Sequence, residues 1–236
     1  MSETPKLSNL PAFIYFDLDD TLLDHSYAEK MALQDVYDEY AELRLTGSEI
    51  WVNTYHEVNK NLWFRYGKGE IDRKELHRAR FEDTMKKLEM DSSRFQTIGK
   101  TYMQRYRDHW QWVDGAFDAF HEIREKYPVG LITNGFAETQ KEKIRRFELE
   151  DLSHVIISED YGVMKPHPLI FDVATEMAEK ERGEILYVGD SWVSDIEGGR
   201  TAGWQTAWYT ARVEEFKPGA DLTFNSFDEL VQAVKR

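Results

Sequence analysis

The feature that most constrains this fold is the stretch over residues 13–22, where an apolar run leads directly into carboxylates. Its first four residues are large and apolar, which predicts a strand covered on both faces. Asp17, Asp19 and Asp20 follow within four positions. Like charges held this close repel one another unless a proton or a cation relieves them, and a hard divalent metal ion does so. The alternative for this stretch taken alone is an acidic turn in solvent, which we consider the weaker interpretation.

Spacing within this cluster carries further information. Asp17 and Asp19 are two residues apart, so an extended chain directs both side chains to the same side of the strand end. Such a pair can hold a reacting group between two carboxylates. Asp20 has no part in this arrangement, and we interpret it as a loop residue.

Bulk composition excludes several classes of function. The chain has 236 residues, enough for one large domain or a domain with an insertion. Its formal net charge of −14 argues against nucleic-acid polymers and anionic membranes as partners, so a small anionic substrate would need a local cationic pocket. Cysteine is absent, which excludes disulfides, thiolate zinc sites and cysteine nucleophiles.

No apolar run approaches the ~18 residues that a membrane span needs, and the first ten residues lack the pattern of a secretory signal. We therefore expect a cytoplasmic protein. Residues 1–11 are predicted to be a loose leader.

The block over residues 26–112 has a helical pattern. Glycines interrupt it, and Asp72 followed by Glu75 resembles a capping box at a helix start. One predicted helix has its apolar face formed by Leu33, Val36, Tyr37, Tyr40 and Leu43. The block is predicted to be an all-helical insertion.

Helix and strand patterns alternate from Asp114 to the end of the chain. The predicted strands cover residues 129–133, 155–158, 185–188, 205–209 and 222–224. Strands separated by single helices indicate βαβ units and a mainly parallel sheet. The predicted fold is an α/β class, with a Rossmann-like core from residues 1–25 and 113–236 and the helical insertion between them.

Polar residues lie at or after the ends of four predicted strands, of which the strand before Asp17 is the first, at the edge where open α/β sheets bind ligands. Each group has a plainer interpretation as a turn, a solvated lysine or a helix-entry loop. Their occurrence at successive strand ends favours one shared site. The groups are Asp17 with Asp19, Thr133 with Asn134, Lys165, and Asp190 with Asp195.

The four segments resemble, in this order, the four motifs of the haloacid dehalogenase superfamily in its phosphatase branch. In that family a helical cap is inserted between the first and second motifs. More finely, residues 58–63, 132–136 and 157–159 are similar to the pyrimidine 5′-nucleotidase branch.

The resemblance implies a phosphomonoester hydrolase that forms an aspartyl phosphate. Asp17 would be the nucleophile, and Asp19 would protonate the leaving alcohol and then activate water. Thr133 and Asn134, with adjacent backbone amides, would bind phosphoryl oxygens. Lys165 would pair with both nucleophile and phosphate.

The resemblance also implies Mg²⁺ as cofactor. Its ligands would be Asp17, the backbone carbonyl of Asp19, and Asp190, while Asp195 would orient the coordination shell. Halide displacement needs neither a proton donor nor a metal, so Asp19 and Asp190 favour phosphate chemistry over dehalogenation.

The substrate would be a small phosphorylated metabolite, and the finer resemblance suggests a pyrimidine nucleoside 5′-monophosphate. A sugar-phosphate or phosphoglycolate-type phosphatase, or a phosphomutase, would use the same core residues. A non-enzymatic module that accepts phosphate also uses an acid cluster and a lysine, although such modules seldom carry an insertion of this size.

Substrate contacts from the insertion are expected from Asn59, Lys60, Trp63 and Arg80. The plainer interpretation is that Trp63 and Phe64 pack in the helical core, while Lys60 and Arg80 are solvated. A cation here could offset the repulsion between an acidic protein and an anionic substrate.

Overall fold

A computed structural model describes residue 7, residues 9–213 and residues 215–235. Most of the predicted leader, residues 1–6 and 8, lies outside the described residues. Contacts divide the chain into two compact units, one formed by residues 1–24 with 112–236 and the other by residues 25–111. We call the first the core unit and the second the helical unit.

The described residues of the core unit form a six-stranded parallel sheet in the order β3-β2-β1-β4-β5-β6. The strands are β1 (Phe13–Phe16), β2 (Val129–Thr133), β3 (His154–Ile157), β4 (Ile185–Gly189), β5 (Gln205–Tyr209) and β6 (Leu222–Phe224). This confirms the predicted α/β fold. The strand with the acidic cluster, β1, lies in the middle of the sheet, where helices can cover both faces.

Alternation along β1 builds an apolar layer on each face of the sheet. Ile14 and Phe16 belong to one buried cluster, and Phe13 and Tyr15 belong to the other. All four residues of the strand are therefore apolar in the sequence, although successive side chains point to opposite layers.

The described part of the core unit also contains six helices, which lie between or after the strands in the sequence: α5 (Ala116–Arg124), α6 (Ala137–Arg146), α7 (Ser158–Tyr161), α8 (Pro168–Ala178), α9 (Gly198–Thr201) and α10 (Phe227–Ala233). A π-helical turn over Trp192–Glu197 precedes α9. Asp195 lies within this turn.

The helical unit contains α1 (His25–Glu39), α2 (Ser48–Gly67), α3 (Arg73–Lys87) and α4 (Phe95–Asp108). The first helix starts earlier than its apolar pattern predicts and ends at Glu39, and a 3-10 turn over Leu43–Leu45 follows. Asp72 caps α3 as predicted, because its side chain accepts a hydrogen bond of 2.7 Å from the Glu75 amide. No helix among the described residues has the length and apolarity to cross a membrane.

Candidate active site

The end of β1 places Asp17 beside the end of β4. Phe16 pairs with Val188, and the Asp17 amide donates to the Val188 carbonyl at 2.9 Å. Asp17, Asp190 and Asp195 come together here, with one carboxylate oxygen from each lying within 4.8 Å of the others. Parallel register therefore joins acids that are far apart in the sequence.

A close approach to Gly189 fixes the position of Asp195. A Cβ atom at Gly189 would lie only 2.3 Å from Asp195 Oδ2, so a side chain there would displace the carboxylate. The same oxygen accepts a hydrogen bond of 2.9 Å from the Ser191 amide. Asp195 is fully buried, and these contacts set its orientation.

Lys165 is the cation of this cluster. Its buried ammonium donates to Asp17 Oδ1 at 2.7 Å, to Asp195 Oδ1 at 2.8 Å and to the Tyr187 hydroxyl at 2.5 Å. Burial opposes the charge, yet the two carboxylates outweigh it and raise the pKa of Lys165. The lysine therefore stays protonated and neutralises part of the acidic cluster.

Asn134 holds the backbone of Lys165 from the end of β2. Its side-chain amide donates to the Lys165 carbonyl at 3.1 Å and accepts from the Lys165 amide at 2.8 Å. The side chain predicted to bind substrate is thus engaged in placing the lysine.

The carboxylates retain an unfavourable concentration of negative charge. Burial raises the pKa of Asp17 to about 7, with Lys165 opposing this shift and Asp195 adding to it. Burial, Asp195 and Asp17 also raise the pKa of Asp190. Clustered carboxylate oxygens are ligands that Mg²⁺ prefers, and a divalent ion would relieve the repulsion. The donor set of Asp17, Asp190 and Asp195 fits this ion.

Thr133 and Asp19 share a contact with α6. Gln140 Nε2 lies 2.7 Å from Thr133 Oγ1, 2.9 Å from Asp19 Oδ2 and 3.0 Å from the Asn134 carbonyl. Lys143 donates to Asp19 Oδ1 at 2.5 Å. The Asp19 carboxylate is therefore held by α6 and is not part of the carboxylate cluster found among the described residues.

Residues predicted to bind substrate from the helical unit have different environments. Asn59 is buried on α2 and donates to Glu29 at 3.3 Å, whereas Lys60 is exposed. Trp63 is half-buried and packs edge-on against Tyr66, with ring centroids 5.7 Å apart. These side chains therefore differ in burial and in the partners they contact.

Two of the plainer interpretations were wrong. Arg80 is only 7% exposed and packs on Tyr102, because Leu76, Arg80 and Thr84 share the buried face of α3. Phe64 is 60% exposed, since it lies off the buried face of α2. Its ring instead faces the Lys68 ammonium, 4.1 Å from the centroid.

Sequence reasoning missed Gln140, Lys143 and Tyr187. Gln140 and Lys143 are three residues apart on α6, so they share a helix face with a buried isoleucine, which is a signal for burial. Tyr187 lies within a buried strand, and a buried tyrosine hydroxyl needs a partner. Neither signal identifies the partner.

Comparison with known proteins places this site in a family. A family model for haloacid dehalogenase-like hydrolases matches residues 13–203. Pyrimidine 5′-nucleotidase YjjG of Escherichia coli is 33% identical over 94% of this chain and 97% of its own length. Glyceraldehyde 3-phosphate phosphatase of Pyrococcus furiosus is 29% identical, over 94% of this chain and 92% of its own.

A solved structure supports the same relationship. The hydrolase YfnB of Bacillus subtilis, bound to magnesium, is 26% identical and superposes with a TM-score of 0.81 over 97% of this chain and 100% of that one. The matched family segment begins at β1 and includes the ends of β1, β2 and β4, where the candidate site lies. This chain belongs to the haloacid dehalogenase-like hydrolase family.

Proposed function

We propose that this protein is a Mg²⁺-dependent phosphatase of small phosphorylated metabolites, with pyrimidine nucleoside 5′-monophosphates as the preferred class. The observation that carries the proposal is the Lys165 ammonium bonded to both Asp17 and Asp195, beside Asp190. Phosphoryl transfer requires this combination of a positioned nucleophile and fixed positive charge.

In the proposed reaction, an Asp17 oxygen attacks phosphorus and the phosphorus–ester oxygen bond breaks. Asp19 gives its proton to the leaving alcohol. Water then attacks the aspartyl phosphate, Asp19 takes a proton from that water, and the Asp17–phosphorus bond breaks to release inorganic phosphate.

The remaining residues bind and orient the phosphoryl group. Lys165 pairs with a phosphoryl oxygen while holding Asp17, and Thr133 supplies a hydroxyl at the end of β2. Asp17, Asp190, Asp195 and the Asp19 carbonyl would hold Mg²⁺, which when bound neutralises charge on the phosphoryl oxygens.

Support for the nucleotide class comes from relatives. Besides YjjG, pyrimidine 5′-nucleotidase PynA of Streptococcus pneumoniae is 28% identical over 95% of both chains. The glyceraldehyde 3-phosphate phosphatases favour the alternative of a sugar-phosphate substrate.

One experiment tests both the Mg²⁺-dependent phosphatase activity and the preference for pyrimidine nucleotides. Phosphate release is measured with Mg²⁺ for dUMP, dTMP, UMP, AMP, sugar phosphates and phosphoglycolate. We expect the highest kcat/KM with pyrimidine monophosphates, and loss of activity in EDTA that added Mg²⁺ restores. Preference for a sugar phosphate would refute the nucleotide class alone.

Asp17→Asn is the control for mechanism. It removes the nucleophile while keeping the side-chain shape, so turnover of p-nitrophenyl phosphate should fall by at least about 10³-fold with the circular dichroism spectrum unchanged. A variant that keeps more than about a tenth of the wild-type rate would refute the nucleophile assignment.

A further inference from the structure

Helix α6 directs two buried polar side chains at the carboxylate of Asp19. Lys143 is 1% exposed and Gln140 is 2% exposed, whereas Lys141, between them, forms a surface pair with Asp160. A buried ammonium is costly unless a carboxylate compensates it. The Lys143–Asp19 pair is therefore a built feature of the core unit and not a chance surface contact.

The two oxygens of Asp19 have different partners. Oδ1 accepts from the Lys143 ammonium at 2.5 Å, and Oδ2 accepts from the Gln140 amide at 2.9 Å. An ammonium–carboxylate contact is stronger than one from a neutral amide. Oδ1 is thus the anchored oxygen, and Oδ2 is the one that can exchange its partner for another oxygen.

The Gln140 side chain lies close to the carboxyl end of β2. A Cβ atom at Gly135 would lie 2.9 Å from Gln140 Nε2, so the glycine leaves room for the amide to reach Asp19 and Thr133 together. The amide thereby links the residue proposed to move the proton with the residue proposed to bind phosphate.

We propose that Lys143 and Gln140 are positioning residues for proton transfer, with Lys143 anchoring Asp19 through Oδ1 so that Oδ2 meets the leaving-group oxygen. This rests on the phosphatase function proposed above. A correctly placed acid contributes about 10²–10⁴-fold to a rate, and a small displacement loses much of it.

The test compares kcat/KM for two substrates, because this constant reports the steps up to formation of the aspartyl phosphate. p-Nitrophenoxide leaves without protonation, whereas the alkoxide of the best nucleotide or other alkyl phosphate needs the acid. We expect Lys143→Met to lower kcat/KM for the alkyl phosphate at least about 10-fold more than for p-nitrophenyl phosphate.

Lys141→Met is the matched control on the same helix, and it should change both constants less than about 2-fold, since exposed ion pairs contribute little. If Lys143→Met does not fold, the same comparison is made with Gln140→Leu. We expect this variant also to lose more kcat/KM with the alkyl phosphate than with p-nitrophenyl phosphate, but by a smaller factor. Equal losses with both substrates, or no loss, would overturn the positioning role. Wild-type inactivity on every phosphate ester would instead refute the proposed function.

Discussion

Buried polar side chains have different surroundings in the two units. Tyr187 in the core unit and Tyr55 in the helical unit are both fully buried. The Tyr187 hydroxyl accepts from Lys165 and donates to the Ile132 carbonyl at 2.9 Å. The Tyr55 hydroxyl lies near Tyr102 and Arg80, yet has no well-formed hydrogen bond among the described residues.

The difference extends beyond the tyrosines. Asn59 Oδ1 and Arg80 Nε in the helical unit are also buried without a hydrogen-bond partner in the described part of the chain, as is Gln140 Oε1 in the core. An unpaired buried polar atom costs about 1–3 kcal/mol unless water or a ligand satisfies it. Most polar side chains of the candidate site in the core unit are thus held by hydrogen bonds within that unit. The helical unit contains buried polar atoms that make no hydrogen bond to the described residues.

The largest effect is expected from Asp17 in the core unit, because burying its negative charge lowers the free energy of unfolding. With its pKa raised from 3.8 to about 7, Asp17 binds a proton more tightly in the folded state than in the unfolded one. Its stabilising contribution is full below pH 3.8 and is lost as pH rises through about 7. Unfolding is measured in EDTA for the wild type and for Asp17→Asn. As pH rises from 4 to 7, the free energy of unfolding of the wild type should fall by up to about 4 kcal/mol more than that of Asp17→Asn.

Urea unfolding of both proteins at several pH values measures this difference. The subtraction removes the contribution of the acids that do not interact with Asp17, whereas the titration of Asp190 stays coupled to that of Asp17 and is part of the measured difference. A difference that stays constant with pH would show that Lys165 fully offsets the burial of Asp17.

An intermediate effect is expected for Tyr187→Phe. The substitution keeps the ring but removes an acceptor from Lys165 and a donor to Ile132, so it should lower the free energy of unfolding by about 1–3 kcal/mol. Chemical denaturation at neutral pH checks this. Wild-type stability would mean that Lys165 and the Ile132 carbonyl find other partners.

The smallest effect is expected for the matched change Tyr55→Phe. Its hydroxyl makes no well-formed bond that could be lost, so the unfolding free energy should change by less than about 0.5 kcal/mol or rise. The two Tyr→Phe variants are compared in one denaturation series. Equal losses would show that Tyr55 is satisfied in solution, for example by ordered water, and would remove the contrast between the units.

The sequence predicted the sheet because local patterns determine strands and parallel register then brings their ends together. Thr133, Lys165 and Asp190 could be selected as candidates for the same reason: each lies at the end of an apolar strand or in the segment after one. Lys143 could not be paired with Asp19, since that contact joins residues 124 positions apart and depends on how α6 packs. The catalytic and metal-binding roles themselves remain predictions.

The helical unit shows why residue type alone is a weak guide. Phe64 was assigned to the core for its ring and Arg80 to solvent for its charge, and both assignments fail because helical phase decides exposure. On α2 the buried residues Trp51, Tyr55, Asn59 and Leu62 define a face that excludes position 64. On α3 position 80 lies in the middle of the buried face.

The double hydrogen bond between Asn134 and Lys165 has a consequence for variation in this protein. A side-chain amide that offers a donor and an acceptor to the backbone C=O and N–H of one residue imitates the pairing of a neighbouring strand, and so sets the register of the loop carrying the lysine. Aspartate at 134 would supply the acceptor but no donor. Loop residues before Lys165 can therefore change in identity while the ammonium stays in place, as long as position 134 keeps its amide.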